Sequence, residues 1–251
     1  MPKNYTTPST IVGKNFHCTG CGHSIVIRLL AELLDEMQLQ DKTIFVRGVG
    51  CCSMSNRHFH VDTLHSSHGK TGACATGVAR TLPDKLTICY QGDGDAYDIG
   101  FAETFNAAYR NENIVNIVIV NTLFAMTGGQ MSHTTLIGEW TESCVHGRDP
   151  EKTGYPLRFP EMVKGQLPHA YFARGAVWSP AEVRKTKELL RHAIERQLDH
   201  KGYSMVEVLA PCPTNYKKNA WDALNWLKEE APKTYQLGVI QEGAPAGRVD
   251  F

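Results

Sequence analysis

The sequence lacks both long apolar runs and a net charge. No stretch approaches the roughly 18 apolar residues that a membrane-spanning helix needs. The 26 basic residues balance 26 acidic ones, so no global field draws the chain to nucleic acid or to a lipid surface. The start, MPKNYTTPST, has no charged segment leading into an apolar one, as a secretion signal would. These absences predict a soluble, cytoplasmic protein with neither a nucleic-acid nor a membrane partner.

The sequence also lacks internal repeats, and its 251 residues suit one large α/β domain better than two small ones. We predict an N-terminal arm over residues 1–15, a ligand-binding domain over 16–215, and a C-terminal helix and tail over 216–251. The runs LTICY and IVNIVIV are continuously apolar, which is typical of parallel strands buried on both faces. The fold class expected is α/β, a single domain with a mostly parallel sheet and helices on both faces.

Apolar spacing, caps and chain-breaking residues predict the individual elements. The segment that begins at Thr71 is rich in Gly and Ala, and we expect a buried helix there. Residues 136–176 show no period and are expected to form loops around short elements, and the end of the chain after residue 230 is expected to be loose. The remaining predictions are helices at 24–37, 180–200 and 220–230, and strands at 43–47, 86–90, 114–120, about 170–177 and 203–209.

Two predicted strand ends carry acidic, amide and glycine residues. The strand at 86–90 is followed by GDGD, and the strand at 114–120 is followed by Asn121. Ligands bind where the strands of a parallel sheet end, and the oxygens of Asp93 and Asn121 suit Mg²⁺, which takes its other ligands from phosphate and water. Glycines let backbone N–H groups approach phosphate. A lone Gly-Asp-Gly is more often a turn, but this placement predicts a site for a diphosphate and magnesium.

GDG followed after such an interval by Asn resembles the thiamine diphosphate signature. GDGDAYDIGF and MTGGQMSHTT are similar to the thiamine-binding subunit of the 2-oxoacid:ferredoxin oxidoreductases, and the resemblance covers most of residues 16–215. It implies that Mg²⁺ is held by Asp93, Asn121 and the backbone carbonyl of Leu123. The residues implied to line the cofactor are Gly50, Cys51, Cys52, His68, Gly92, Asp93, Gly94, Asp95, Asn121, Leu123, Ala125, Met126, Thr127 and Gly128.

Eight cysteines in a cytoplasmic chain are more typical of metal binding or catalysis than of disulfides. Cys18 and Cys21 form the only CxxC, which alone is compatible with a zinc pair, a redox pair or no function. CTGCGH, GVGC and APCP resemble the family segments that carry cluster ligands. The resemblance implies a 4Fe–4S cluster on Cys18, Cys21, Cys51 and Cys212. Cys52 competes with Cys51, and we expect it to line the thiamine site instead.

Eleven histidines are too many for residue type alone to single one out. The segment HGK, with ATG soon after it, resembles the family segment that runs beside the cofactor. It implies that His68 and Lys70 are catalytic residues that neutralise diphosphate or substrate charge. His23, His65 and His133 are weaker candidates.

The resemblance implies oxidative decarboxylation of a 2-oxoacid. Thiamine diphosphate supplies the carbon chemistry, a nearby cluster accepts electrons, and the family passes the acyl group to coenzyme A and the electrons to ferredoxin. The TLFAMTGGQ loop and the short chain favour a branched-chain 2-oxoacid such as 2-oxoisovalerate, with 2-oxoglutarate or pyruvate as alternatives. Two other classes stay open: a non-oxidative thiamine-dependent decarboxylase or lyase subunit, and a non-catalytic assembly or electron-transfer subunit.

Two parts of the family's machinery are not evident in the sequence. Thiamine activation in the family uses a glutamate from a separate pyrimidine-binding domain, and a bacterial ferredoxin domain would carry a C-x₂-C-x₂-C-x₃-C-P run that this chain lacks. The resemblance therefore implies an obligate hetero-oligomer. The implied partners are a pyrimidine-binding alpha subunit that supplies the glutamate, gamma and ferredoxin-like delta subunits, and ferredoxin.

Overall fold

A seven-stranded sheet forms the centre of the protein in the computed structural model, which describes residues 6–244. Neighbouring strands pair in parallel except β7 and β9, which are antiparallel. The sheet consists, in chain order, of β1 (Thr43–Arg47), β2 (Asp62–His65), β3 (Leu86–Gly92), β4 (Val115–Val120), β7 (Tyr171–Ala176), β8 (Ser204–Leu209) and β9 (Gly238–Gln241), and its spatial order is β2-β1-β3-β4-β8-β7-β9; a separate antiparallel pair comprises β5 (Leu123–Phe124) and β6 (Gln130–Met131).

Helices connect most of these strands. Two apolar cores lie on opposite faces of the sheet: helices α1 (Gly22–Met37) and α6 (Pro180–Leu198) cover one face, and α2 (Thr71–Thr81), α3 (Phe101–Tyr109), α5 (Phe159–Val163) and α8 (Ala220–Glu230) cover the other. Along β3, Ile88 and Tyr90 point into the first core and Cys89 into the second, because side chains alternate across a strand. The helices are α1 (Gly22–Met37), α2 (Thr71–Thr81), α3 (Phe101–Tyr109), α4 (Pro150–Thr153), α5 (Phe159–Val163), α6 (Pro180–Leu198), α7 (Pro213–Tyr216) and α8 (Ala220–Glu230), with a π-helical turn at Gly94–Ile99 and 3₁₀ turns at Gln40–Lys42, Cys51–Arg57 and Ala231–Lys233.

The predicted fold class is confirmed, and every predicted element is present within a few residues of its expected bounds. Two edge strands were not predicted. All four residues of Asp62–His65 are exposed, so the strand has no apolar alternation that a sequence pattern could reveal. Gly238–Gln241 pairs with β7, so the expectation of a loose end is wrong for these residues; residues 245–251 lie outside the described residues.

The first described residues lie along the body of the protein. The backbone N–H and the hydroxyl of Ser9 donate to the carboxylate of Asp35 at 2.7 and 2.6 Å. Ile11 forms an isolated antiparallel bridge with Phe59. Of the predicted arm, residues 1–5 lie outside the described residues. No helix between residues 6 and 244 is both long and apolar enough to cross a lipid bilayer.

Candidate cofactor site

The ends of β3 and β4 place the two predicted magnesium side chains side by side. The strands are parallel neighbours, with Gly92 paired to Ile119. Asp93 and Asn121 follow directly, and both are buried. Parallel strands that end at one edge therefore bring together residues that are distant in sequence, as predicted.

Three oxygens converge at this edge. The Asn121 carboxamide oxygen lies 2.8 Å from the Leu123 carbonyl oxygen and 3.3 Å from Asp93 Oδ1, so acceptors face acceptors. In an octahedral Mg²⁺ site with bonds of about 2.05 Å, adjacent ligand oxygens are about 2.9 Å apart. The donor set and its spacing fit Mg²⁺. Without a cation, turning the amide over lets its NH₂ group donate to both oxygens.

Burial disfavours the ionised form of the Asp93 carboxyl group. It raises the pKa of the carboxyl group to about 7, against hydrogen bonds from the Thr134 hydroxyl and the Gly94 N–H, and the nearby Asp98 adds repulsion. A buried carboxylate with no cationic side chain among these partners is stabilised by a bound cation. The electrostatics of Asp93 thus favour the same ion as the oxygen spacing.

Thr122, the residue between the two other candidate ligands, has a left-handed backbone with φ +66°, which is unusual for a β-branched residue. The Thr122 hydroxyl is 2.6 Å from Glu139 Oε1 and 2.7 Å from the Asn121 carbonyl oxygen. The Thr135 hydroxyl donates to the Thr122 carbonyl, and the Tyr216 hydroxyl donates to the Asn121 carbonyl at 3.0 Å. These hydrogen bonds hold the backbone conformation in which the Asn121 carboxamide oxygen and the Leu123 carbonyl oxygen lie close together.

A cavity of about 100 Å³ opens above these oxygens. Gly50, with φ +124°, and Gly92 both line it, and a Cβ atom on either would meet nothing within 4 Å. The space that side chains would fill is thus left open, and the backbone is accessible to a ligand. Of the residues implied to line the cofactor, the cavity contains Gly50, Cys51, Cys52, His68, Gly92, Asp93, Gly94, Asp95, Asn121, Leu123, Ala125, Met126 and Thr127.

His68 borders this cavity because Asp95 holds the turn that carries it. The Asp95 carboxylate contacts His68 Nδ1 and accepts from the Gly69 N–H at 2.7 Å and the Thr71 hydroxyl at 3.0 Å. Asp95 is buried, whereas about a third of the His68 side chain is exposed. Asp95 therefore orients the imidazole, and His68 is the partly exposed member of the pair at the cavity.

Several predicted residues lie elsewhere. The Lys70 ammonium pairs with Glu103 and does not line the cavity, so the pairing does not favour its predicted catalytic role, which stays a prediction. Gly128 is also absent from the lining. His65 is exposed at the end of β2, and His133 Nδ1 is 3.0 Å from the Tyr97 carbonyl oxygen, outside the cavity.

All four predicted cluster cysteines line a second cavity of about 270 Å³. Cys18 and Cys21 lie in the turn before α1, Cys51 begins the 3₁₀ turn after β1, and Cys212 directly precedes α7. Within residues 6–244, no three Cys, His, Asp or Glu side chains converge where one metal ion could bind. The four cysteines therefore share one cavity, and among the described residues they do not form a site for a single ion.

Three thiols of this second cavity, those of Cys21, Cys51 and Cys212, have raised pKa values. Burial raises the pKa of Cys21 and of Cys51 to about 12, and the neighbouring cysteines add repulsion. Burial also raises the pKa of Cys212, against hydrogen bonds from Asn215. Such thiols become thiolates only with a cationic partner, and bound metal supplies one.

The two cavities share a wall. Cys52, which we predicted to line the thiamine site, borders the first of these two cavities and not the second. His23, a weak candidate by sequence, borders both, and its ring is held by a 2.7 Å bond between Nδ1 and the Tyr90 hydroxyl. The residues common to both linings are His23, Cys51, Asn121, Ala125 and Met126.

Comparison with known proteins agrees with this geometry. The profile of the thiamine pyrophosphate enzyme C-terminal TPP-binding domain matches residues 48–208. The ketoisovalerate oxidoreductase subunit VorA of Methanothermobacter thermautotrophicus is 40% identical over 88% of this chain and 46% of the relative. The 2-oxoglutarate synthase subunit KorB of Archaeoglobus fulgidus is 32% identical over 84% of this chain and 75% of the relative. The chain belongs to the thiamine diphosphate-binding subunits of the 2-oxoacid:ferredoxin oxidoreductases.

The fold of this family is seen in a solved 2-oxoglutarate:ferredoxin oxidoreductase from Magnetococcus marinus. Its TM-score is 0.75 at 21% identity, over 96% of this chain and 86% of that one. The chain spans about half the length of the VorA relative. Family membership thus accounts for the thiamine diphosphate-binding fold, which the sequence motifs had predicted.

Some residues at the candidate site were not predicted from the sequence. The Phe124 ring lines the first cavity and lies against Gly94, where an added Cβ would be 2.4 Å from the ring. Thr134 bonds Asp93, and Glu139 bonds Thr122. Their positions beside the loop after β4 depend on how the chain folds between residues 121 and 148, which residue type and spacing do not reveal.

Proposed function

We propose that this chain is the thiamine- and cluster-bearing part of a 2-oxoacid:ferredoxin oxidoreductase. The reaction converts a 2-oxoacid, coenzyme A and two oxidised ferredoxins into acyl-coenzyme A, CO₂, two reduced ferredoxins and a proton. The observation that carries the proposal is the wall shared by the two cavities, which includes Cys51 and Asn121. A cluster beside the reacting carbon gives electrons an outlet, which a non-oxidative decarboxylase does not need.

In the thiamine cavity, Asp93, Asn121 and the Leu123 carbonyl would hold Mg²⁺, and the ion would bind the diphosphate. Bound thiamine diphosphate supplies the carbanion-stabilising chemistry of its thiazolium ring. The role of this chain is to bind and orient the cofactor. The backbone at Gly50 and Gly92 lets the diphosphate approach closely. His68, oriented by Asp95, offers a hydrogen bond to a phosphate or substrate oxygen.

In the second cavity, the four cysteines would hold a 4Fe–4S cluster. Zinc bound by four thiolates requires all of them about 2.3 Å from one ion, whereas each thiolate of such a cluster binds a different iron atom. Four cysteines that line one cavity match the number of thiolates a 4Fe–4S cluster needs. Metal analysis of the purified complex distinguishes iron from zinc.

We favour a branched-chain 2-oxoacid such as 2-oxoisovalerate as the substrate. The lining includes Leu123, Phe124, Ala125 and Met126, and no Arg or Lys is among the described lining residues. A second carboxylate, as in 2-oxoglutarate, would need a cationic partner there. The 40% identity to a ketoisovalerate oxidoreductase subunit, against 32% to a 2-oxoglutarate synthase subunit, supports the same choice.

We further propose a pyrimidine-binding partner that completes the site. Pockets for ligands of this size usually enclose about 300 Å³ or more, but the first cavity encloses about 100 Å³. The acids in its lining are Asp93 and Asp95, so an activating glutamate would come from the partner. Gamma and ferredoxin-like delta subunits, and ferredoxin, would carry electrons onward, in the cytoplasm.

Anaerobic co-purification from the native host tests this proposal. We expect a coloured complex that contains iron, sulfide, magnesium and thiamine diphosphate and reduces ferredoxin with a 2-oxoacid and coenzyme A, with the highest kcat/KM for 2-oxoisovalerate. A colourless zinc protein would support the non-oxidative alternative. A complex that binds no thiamine diphosphate would support the assembly or electron-transfer role, and a higher kcat/KM for 2-oxoglutarate or pyruvate would refute the substrate assignment.

A further inference from the structure

One side-chain amide connects the two cavities. Asn215 lies in α7, three residues after Cys212, and its Nδ2 atom donates to the Ala125 carbonyl at 2.7 Å and to Cys212 Sγ at 3.4 Å. An amide NH₂ group has two hydrogens, so one donor atom serves a predicted cluster ligand and the thiamine loop at once.

The loop after Ala125 also packs against this side chain. A Cβ atom on Gly129, which has φ +99°, would lie 3.2 Å from Asn215 Cβ and 3.3 Å from its carboxamide oxygen. The Gly129 N–H donates to the Phe124 carbonyl at 2.9 Å, which closes the loop. Asn215 is thus fixed by packing as well as by hydrogen bonds, and it is itself half-buried.

We propose that Asn215 is a positioning residue that ties Cys212 to the thiamine-binding loop and raises the reduction potential of the cluster; this inference rests on the proposed function. An N–H···S bond favours the reduced cluster, which carries more negative charge, and hydrogen bonds to cluster sulfurs are one means by which proteins set these potentials. The bond to Ala125 fixes the direction of the donor. The same residue therefore affects both the electron acceptor and the cofactor loop.

The test compares Asn215→Leu, which keeps the size of the side chain and removes both hydrogen bonds, with Asn106→Leu. Asn106 is exposed in α3, where its side chain donates to the Ala102 carbonyl at 2.8 Å, and it lines neither cavity. In an anaerobic redox titration of the complex followed by EPR, Asn215→Leu is expected to shift the midpoint potential to more negative values, and Asn106→Leu is not. The dissociation constant for thiamine diphosphate with Mg²⁺ should rise about fivefold in Asn215→Leu only, the effect of one lost hydrogen bond. An unchanged potential in Asn215→Leu with full iron content would overturn the inference.

A measurement on the unsubstituted protein covers the case in which Asn215→Leu does not retain its cluster. With asparagine labelled with ¹⁵N at the side-chain amide, the reduced cluster should show a ¹⁵N hyperfine coupling, and its absence would overturn the inference. Absence of iron from the unsubstituted complex would instead contradict the proposed function, so the two failures are distinguishable.

Discussion

Glu139 holds Thr122 in a backbone conformation that a threonine rarely adopts. The Thr122 hydroxyl lies 2.6 Å from Glu139 Oε1, and Glu139 Oε2 accepts from the Leu136 N–H at 2.8 Å. Thr122 separates Asn121 from Leu123, so the pair fixes the relative directions of two proposed magnesium ligands. Strain of this kind costs about 1–3 kcal/mol and persists where surrounding contacts over-determine it. Because Glu139 does not line the cavity, its effect on the site acts through Thr122.

Thr122→Gly should separate folding from magnesium binding. Glycine adopts φ +66° without strain, which offsets part of the cost of removing a buried hydroxyl that bonds Glu139. The free energy of unfolding should therefore fall by no more than about 2 kcal/mol, while Mg²⁺ affinity in the presence of thiamine diphosphate falls at least about tenfold, as when supporting contacts of a metal site are removed. Isothermal titration and urea unfolding measure the two quantities.

Gln38→Gly is the matched control. Gln38 has φ +55° at the end of α1, where it is exposed and far from the site in the fold. This substitution should stabilise the protein slightly and leave Mg²⁺ affinity unchanged. Equal magnesium affinity in Thr122→Gly and the unsubstituted protein would contradict the role assigned to Thr122.

Glu139→Gln should weaken the pH dependence of stability. Burial raises the pKa of Glu139 from 4.5 to about 8 in the folded state, so between these values the folded protein binds a proton that the unfolded chain lacks. The free energy of unfolding of the cofactor-free protein therefore falls as pH rises from about 4.5 to 8, by up to about 1.4 kcal/mol per pH unit for this group. Glutamine imitates the neutral carboxyl group, because its NH₂ can donate to Thr122 and its oxygen can accept from Leu136. Urea titrations at pH 5.5 and 8 should give a smaller difference for the variant, and identical differences would refute the assignment.

Adjacent cysteines offer a direct test of the cluster ligands. Cys51 borders the four-cysteine cavity, whereas Cys52 borders only the thiamine cavity. Cys51→Ala should lose most iron and sulfide, since a cluster of this type needs four thiolates. Cys52→Ala should retain the iron and sulfide. Metal analysis of the two anaerobic preparations decides which cysteine binds the cluster. Loss of iron from Cys52→Ala alone would show that Cys52, and not Cys51, is the ligand.

Removing the buried charge of Arg174 should strongly destabilise the protein. Its side chain is fully buried in β7, where Nε donates to Glu207 at 2.5 Å and the two terminal nitrogens donate to Glu161 at 2.6 and 2.8 Å. Arg174→Met leaves Glu207 buried without its cation, and the expected loss in unfolding free energy is about 3–5 kcal/mol. Adding Glu207→Gln should recover a large part of this loss in urea unfolding. An Arg174→Met variant as stable as the unsubstituted protein would contradict this role of Arg174.

The sequence predicted the parts of the fold that are buried on both faces. Apolar runs located β3 and β4, and glycine and acid spacing placed Asp93 beside Asn121, because parallel strands end at a common edge. The exposed strand β2 carries no such pattern. Elements that depend on burial are visible in a sequence, and an edge strand stabilised by backbone pairing alone is not.

The residues of the candidate site also differ in whether the sequence could predict them. Motif residues such as Asp93 were predicted, but Thr122, Glu139 and Asn215 were not. Their contribution depends on a left-handed backbone angle and on hydrogen bonds between segments distant in the chain. Residue type reveals none of these, since an isolated Thr, Glu or Asn is usually a surface residue.

Reduction of the cluster by substrate alone tests most directly whether a thiamine site and a cluster adjoin in this chain. The anaerobic complex, without ferredoxin, is mixed with 2-oxoisovalerate and coenzyme A, and its iron–sulfur absorbance and EPR spectrum are followed. The account predicts bleaching and a reduced-cluster signal, both abolished by Asp93→Asn, which removes the carboxylate from the magnesium site while the iron content stays unchanged. An iron-containing complex that turns over 2-oxoacids without any change in its cluster, or an Asp93→Asn variant that still reduces it, would contradict the account.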